Sequence, residues 1–196
     1  MKKPFVYFDL GNVVFDFTQS IKELSNILHV SHLDIWEMFK VHDSYTCKGQ
    51  LHPDELLRMY EAETGITSGI DDFVTWWTSF FRPIKETHEF IIEAKKHDIS
   101  IGVISNIYPN VYPKLFELGL IPDVNYDAVV LSCDIGFTKP EKDIFHLAQK
   151  SANTEDIVFI DDCLENVEMA KSLNWDARQF EPGGNVLNNL GLELFF

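Results

Sequence analysis

The sequence predicts an α/β fold: a Rossmann-like three-layer core on a parallel sheet, with an all-helical segment inserted after the first strand. Two observations predict it. Short apolar runs of strand length alternate with stretches of helical apolar spacing over residues 85–180. That alternation implies parallel strands joined by right-handed crossovers. One long segment, from about Thr18 to Ile84, breaks the alternation and carries no convincing strand. The core therefore reads as residues 1–16 and 85–196, and the helical insertion as 17–84.

Taken in order, FVYF (5–8) is the first strand, ending in Asp9 and a turn at Leu10-Gly11-Asn12. The insertion holds four amphipathic stretches: QSIKELSNILHV, LDIWEMFKVH, PDELLRMYEAETG and DDFVTWWTSFF. Pro53 opens the third and Gly65 closes it. Trp36, Phe39, Trp76, Trp77, Phe80 and Phe81 read first as packing residues, with a substrate wall or a dimer patch as the alternatives. KETHEFIIEAKKHD (85–98) is a helix leading into the strand ISIGVIS (99–105). PNVYPKLFELG (109–119) precedes the strand YDAVVLS (126–132). PEKDIFHLAQKSA (140–152), with Pro140 at its first helical position, precedes the strand DIVFID (156–161). LENVEMAKSLN (164–174) leads to a fifth candidate strand, DARQF (176–180).

Of the 196 residues, 45% are hydrophobic and 13% aromatic, enough for a packed core. Asp and Glu number 31 against 16 Lys and Arg, for a net charge of −15. Such a surface repels nucleic acid and anionic membrane, so an anionic substrate must be held by local positive charge. No apolar run approaches the ~18 residues of a membrane span. The three cysteines are widely spaced and read as reduced thiols in a cytoplasmic protein. A monomer and a homodimer are both compatible with the composition.

Ligands of an open parallel sheet bind at the carboxyl ends of its strands. Those ends carry Asp9, Ser105-Asn106, a loop with Lys139, and Asp161-Asp162 followed by Asn166. Singly, each has an ordinary reading as a helix cap, a turn or a solvated lysine. Together, in this order, they suit phosphoryl transfer through a metal. Carboxylates bind Mg²⁺, and lysine and small polar groups neutralise phosphoryl oxygens. A carboxylate can itself be the nucleophile, giving an aspartyl-phosphate.

The order of these residues also resembles the haloacid dehalogenase superfamily. FDLGNVVFD (8–16) is similar to its first motif, VISN (103–106) to the second, GFTKPEKDIF (136–145) to the third and VFIDDCLENVEMA (158–170) to the fourth. Within that superfamily it looks like bacterial sugar-phosphate (α-D-glucose-1-phosphate) phosphatases beginning DLGNV, and like the N-terminal phosphatase domain of soluble epoxide hydrolases. The resemblance implies a helical cap at 17–84 and a Mg²⁺-dependent phosphatase acting on a small phosphorylated metabolite. Asp9 would be nucleophile and metal ligand, with the Gly11 carbonyl and Asp162 as further ligands. Asp161 and Asn166 would support them, Ser105 and Asn106 would hold the phosphoryl group, and Lys139 would screen Asp9.

One departure stands out. The family's usual acid/base aspartate, two residues after the nucleophile, is Gly11 here. General acid–base assistance is worth about 10²–10⁴-fold. Three readings follow: a modest phosphatase with a substitute proton source, a binding or interaction module with weakened chemistry, or a dehalogenase. The last fits poorly, since a metal-free site gains nothing from the Asp161-Asp162 pair. His42, Tyr45 and His52 are candidate substitutes, each with an ordinary surface reading.

Overall fold

The computed structural model describes residues 3–195. The chain runs β1 (Phe5–Phe8), β2 (Phe15–Asp16), α1 (Thr18–Ile27), α2 (His32–Cys47), α3 (Pro53–Thr64), α4 (Phe73–Thr78) and β3 (Arg82–Pro83). It continues through α5 (Lys85–Lys96), β4 (Ser100–Ser105), α6 (Val111–Glu117), β5 (Ala128–Leu131), α7 (Ser132–Ile135) and α8 (Lys142–Ala152). It ends with β6 (Ile157–Asp161), α9 (Leu164–Ser172), β7 (Asp176–Gln179) and α10 (Val186–Phe195).

The five main strands form one parallel sheet in the order β5-β4-β1-β6-β7. β1 is central and buried on both faces, which is why FVYF is continuously apolar rather than alternating. Its side chains divide between two cores. Val6 and Phe8 pack with Ile91, Leu115 and Leu190 from α5, α6 and α10. Phe5 and Tyr7 pack with Phe145, Ala148 and Ala170 from α8 and α9. The result is the three-layer core that the alternation of elements predicts. Gly102 makes room for this arrangement: a Cβ there would lie 2.4 Å from the Tyr7 ring. Tyr7 instead crosses β4 and donates its hydroxyl to the Ala148 carbonyl at 2.8 Å.

Helices α1–α4 lie between β2 and β3. Ser31 and Asp34 cap α2 reciprocally, Pro53 sits at the start of α3, and Gly65 ends α3 in the left-handed conformation (φ +72°). The apolar faces of these helices join the same core as one face of the sheet, through Ile21, Leu24, Leu56 and Phe73.

Four details depart from the sequence reading. A two-rung antiparallel ribbon pairs Phe15 with Pro83 and Asp16 with Arg82. It is too short to leave a period in the sequence. Pro140 lies ahead of α8, after a cis peptide bond, because a Thr138–Glu141 turn closes first (Glu141 N–H to Thr138 O, 2.7 Å). The loop after β5 contains one helical turn, α7, closed by Gly136. A further helix, α10, follows β7. Among the described residues, no helix is long and apolar enough to cross a membrane. All three cysteines are free thiols.

Candidate active site

β1 pairs with β4 on one side and β6 on the other, and the chain visits these two sides separately. A crevice therefore opens at the carboxyl end of β1, where Asp9 emerges. The strand stops there because the backbone turns: Val14 N–H returns to the Leu10 carbonyl at 2.8 Å, and Asn12 takes a left-handed φ of 56°. The backbone bonds of this turn use the carbonyls of Leu10 and Phe15, and none uses that of Gly11. The carboxyl ends of β4 and β6, and the loop after α7, bring the other predicted residues to the same crevice. Asp9, Gly11, Ser105, Asn106, Lys139, Asp162 and Asn166 all line one cavity of about 430 Å³.

Lys139 is the hub. Its ammonium is buried, 2.8 Å from Asp9 Oδ1 and 2.6 Å from Asp161 Oδ2. Burial pulls its pKa down, but Asp161 and Asp9 outweigh that and the net shift is upward, so Lys139 stays charged. Asn106 clamps the Lys139 peptide from both sides, accepting from its N–H at 2.7 Å and donating to its carbonyl at 2.9 Å. Asp161 is fully buried and its oxygens are taken: Lys139 Nζ, Asn166 Nδ2 (3.0 and 3.1 Å) and the Cys163 N–H (2.8 Å) all donate to it. Asp161 thus fixes Lys139. Asp162 is more open and accepts from Asn12 Nδ2 at 3.1 Å. Ser105 is buried and makes only a long 3.5 Å contact to the Asn106 carbonyl.

Oxygens of Asp9, Asp161 and Asp162 all lie within 4.8 Å of one another. One ammonium does not balance three carboxylates. Burial, with Asp161 and Asp162 adding repulsion, pushes Asp9 from 3.8 up to about 7, although Lys139 opposes the shift. Burial likewise raises Asp162. Asp9 Oδ1 is buried and close enough to Lys139 for an ion pair, yet no donor lies in line with it. A surplus of hard, partly unsatisfied oxygens fits a divalent cation such as Mg²⁺. The sign of the pH effect follows. Between its unfolded and folded pKa values, Asp9 holds a proton that the unfolded chain has lost. Metal-free stability therefore falls as pH rises through about 7. A divalent ion held there would compete with that proton, so its stabilisation would grow with pH. A thermal-melting series is expected to show a larger Mg²⁺-induced rise in Tm near pH 8 than near pH 5.5. A shift independent of pH would count against Asp9 as a ligand.

The rest of the cavity is built largely by the inserted helices and their ribbon. Phe15, Phe17, Trp36, Phe39, Trp77 and Phe81 line it. Several rings that read as packing residues thus also form its wall. A Cβ on Gly11 would stand 3.1 Å from the Phe17 ring, so an aromatic side chain occupies the space beside that position. The three candidate proton sources lie elsewhere. His42 pairs with Glu63, Tyr45 is 59% exposed, and His52 caps α3 through Nδ1. None of them lines the cavity. Residues that the sequence reading did not assign also line it, among them Asn12, Asp43 on α2, Tyr108 after β4 and Glu165. Asn12 carried a readable signal, being an asparagine in a tight turn. Asp43 and Tyr108 meet only in the fold.

The family profile of the haloacid dehalogenase-like hydrolases matches residues 6–174. A curated relative, the sesquiterpene phosphatase of Aspergillus oryzae, is 25% identical over 175 residues, covering 85% of this chain and 84% of that protein. Among solved structures, a HAD-like family hydrolase of Porphyromonas gingivalis superposes with a TM-score of 0.79 at 22% identity, covering 99% of this chain and 98% of that one. A HAD family enzyme of Bacteroides thetaiotaomicron, in complex with magnesium and inorganic phosphate, gives 0.74 at 18% identity, covering 94% and 98%.

Proposed function

The chain belongs to the haloacid dehalogenase-like hydrolases, and we propose that it is a Mg²⁺-dependent phosphomonoester hydrolase acting through an aspartyl-phosphate at Asp9. One observation carries the proposal: a buried lysine bridges Asp9 and Asp161 beside Asp162, with Ser105 and Asn106 on the same rim. Asp9 attacks phosphorus. Lys139 offsets the repulsion between that carboxylate and the incoming anion, and Ser105 and Asn106 orient the phosphoryl oxygens. Asp9, Asp162 and the Gly11 carbonyl would hold Mg²⁺, with Asp161 and Asn166 keeping Lys139 in register. Bound there, the ion supplies the positive charge that lets a phosphate ester approach three carboxylates. Residues 17–84 act as a cap over the site, with the β2–β3 ribbon as its hinge.

Two substrate readings compete for the group beyond the phosphate. Similarity to DLGNV-type proteins favours a sugar phosphate. The aromatic wall favours an apolar ester, since a sugar needs several polar partners around its hydroxyls. The A. oryzae relative's name, sesquiterpene phosphatase, supports the apolar reading. A panel of sugar, nucleotide, aryl and isoprenoid phosphates, assayed with and without Mg²⁺, decides. Magnesium-dependent phosphate release is expected, with aryl and isoprenoid esters preferred. Tight phosphate binding with no release from any ester would point instead to a binding module. Metal-independent halide release from a haloacid would point to a dehalogenase.

A further inference from the structure

We propose that Asp43, held by Tyr108, is the proton donor and acceptor that serves in place of the missing aspartate at position 11. The inference rests on the phosphatase reading above. Three observations carry it.

The first is the space itself. Position 11 has no side chain, and the Phe17 ring is packed beside it. A proton source must therefore come from elsewhere in the cavity. The second is the inventory of cavity acids. Among the described residues, the acids that line it besides the strand-end cluster are Asp43 and Glu165. Glu165 is exposed at the start of α9, on the phosphoryl side. Asp43 lies on α2, in the part of the cavity lining that the inserted helices supply. An in-line displacement by Asp9 puts the leaving oxygen on the far side of phosphorus, away from the strand ends and toward the lining those helices supply. The third is how Asp43 is held. The Tyr108 hydroxyl donates to its Oδ1, and the Cys47 thiol lies 3.5 Å from Oδ2. Tyr108 follows Ser105 by three residues, so the loop proposed to orient the phosphoryl group also fixes this carboxyl. Burial raises the Asp43 pKa, with Tyr108 and Cys47 opposing, which favours retaining a proton.

The step balances. Asp9 attacks phosphorus, the bond from phosphorus to the leaving oxygen breaks, and that oxygen takes the proton of Asp43. In the second half, water attacks the aspartyl-phosphate. Its proton passes to the Asp43 carboxylate, the bond from phosphorus to Asp9 breaks, and inorganic phosphate leaves. Alcohol and phosphate are the net products of ester and water. Tyr108 is a positioning residue, since it acts through Asp43.

The test reads the dependence on leaving group, which a merely structural role would not move. In the Mg²⁺-loaded enzyme, Asp43→Asn should lower kcat/KM for an alkyl phosphate by about 10²–10³-fold, and for 4-nitrophenyl phosphate by less than about tenfold, because nitrophenolate departs without a proton. Tyr108→Phe should shift the two substrates in the same sense by a smaller factor, and it guards against a folding defect in the first variant. Equal losses on both esters, or no loss on either, overturn the role of Asp43 alone. A wild type that hydrolyses neither ester overturns the phosphatase reading, and this inference with it.

Discussion

Asp9→Asn is expected to lower Mg²⁺-dependent turnover by at least about 10³-fold, because it replaces the carboxylate proposed to attack phosphorus with a weakly nucleophilic amide. The variant should fold normally. Asparagine keeps the size of the side chain and removes one of three crowded carboxylates, and Asp9 is already forced up to about 7 by its surroundings. Its Tm without metal should equal or exceed that of wild type above pH 7, while the Mg²⁺-induced shift shrinks. Steady-state kinetics and melting curves on the same preparation separate the two effects. Turnover retained by Asp9→Asn would eliminate Asp9 as the nucleophile. Lost turnover with a collapsed Tm would say only that the variant is misfolded.

Lys139→Met should damage both activity and fold. The ammonium is enclosed with Asp9 and a fully buried Asp161. Removing one partner from a buried ion pair costs about 3–5 kcal/mol, because the charge left behind cannot reach water. For a domain of this size that is a fall of roughly 6–20 °C in Tm. The loss should be worst at high pH, where the carboxylates are most ionised, and Mg²⁺ should recover part of it by supplying positive charge. Turnover should fall steeply as well, since the incoming phosphate then meets unscreened carboxylates. Differential scanning calorimetry with and without Mg²⁺ provides the check. A Tm within a degree or two of wild type would mean that Lys139 is not the counter-charge its geometry implies.

Much of this site was readable from the chain because strand ends are readable. FVYF, ISIGVIS and DIVFID stop where a polar residue first interrupts an apolar run, and a parallel sheet gathers all such stops on one rim. Asp9, Ser105 and Asp162 needed nothing more than that. Lys139 was harder, since it sits on a loop, and only its order among the motifs singled it out. The division of labour inside the cluster was not readable. Nothing in DD followed by N at position 166 says that Asp161 is saturated by donors while Asp162 stays open, nor that Asn106 braces a lysine peptide. The side of the cavity built by the inserted helices was least legible. His42 and His52 have the right chemistry but are engaged with Glu63 and the start of α3, and Tyr45 is exposed, whereas Asp43 looks like any helix-surface acid until α2 is docked against the loop carrying Tyr108. The β2–β3 ribbon has two residues per strand, fewer than any periodic signal requires. Helix α10 was obscured by Asn188, Asn189 and Gly191, which dilute its apolar spacing.

The ring of Phe17 beside Gly11 constrains how this enzyme could be re-engineered. A designer who places an aspartate at position 11 inserts a branch beside the Phe17 ring, 3.1 Å from an aromatic carbon. Gly11→Asp alone should then leave hydrolysis of alkyl phosphates no faster, whereas the pair Gly11→Asp with Phe17→Ala should accelerate it. The two positions are coupled through that contact, so the gain is expected from the pair of changes rather than from position 11 alone.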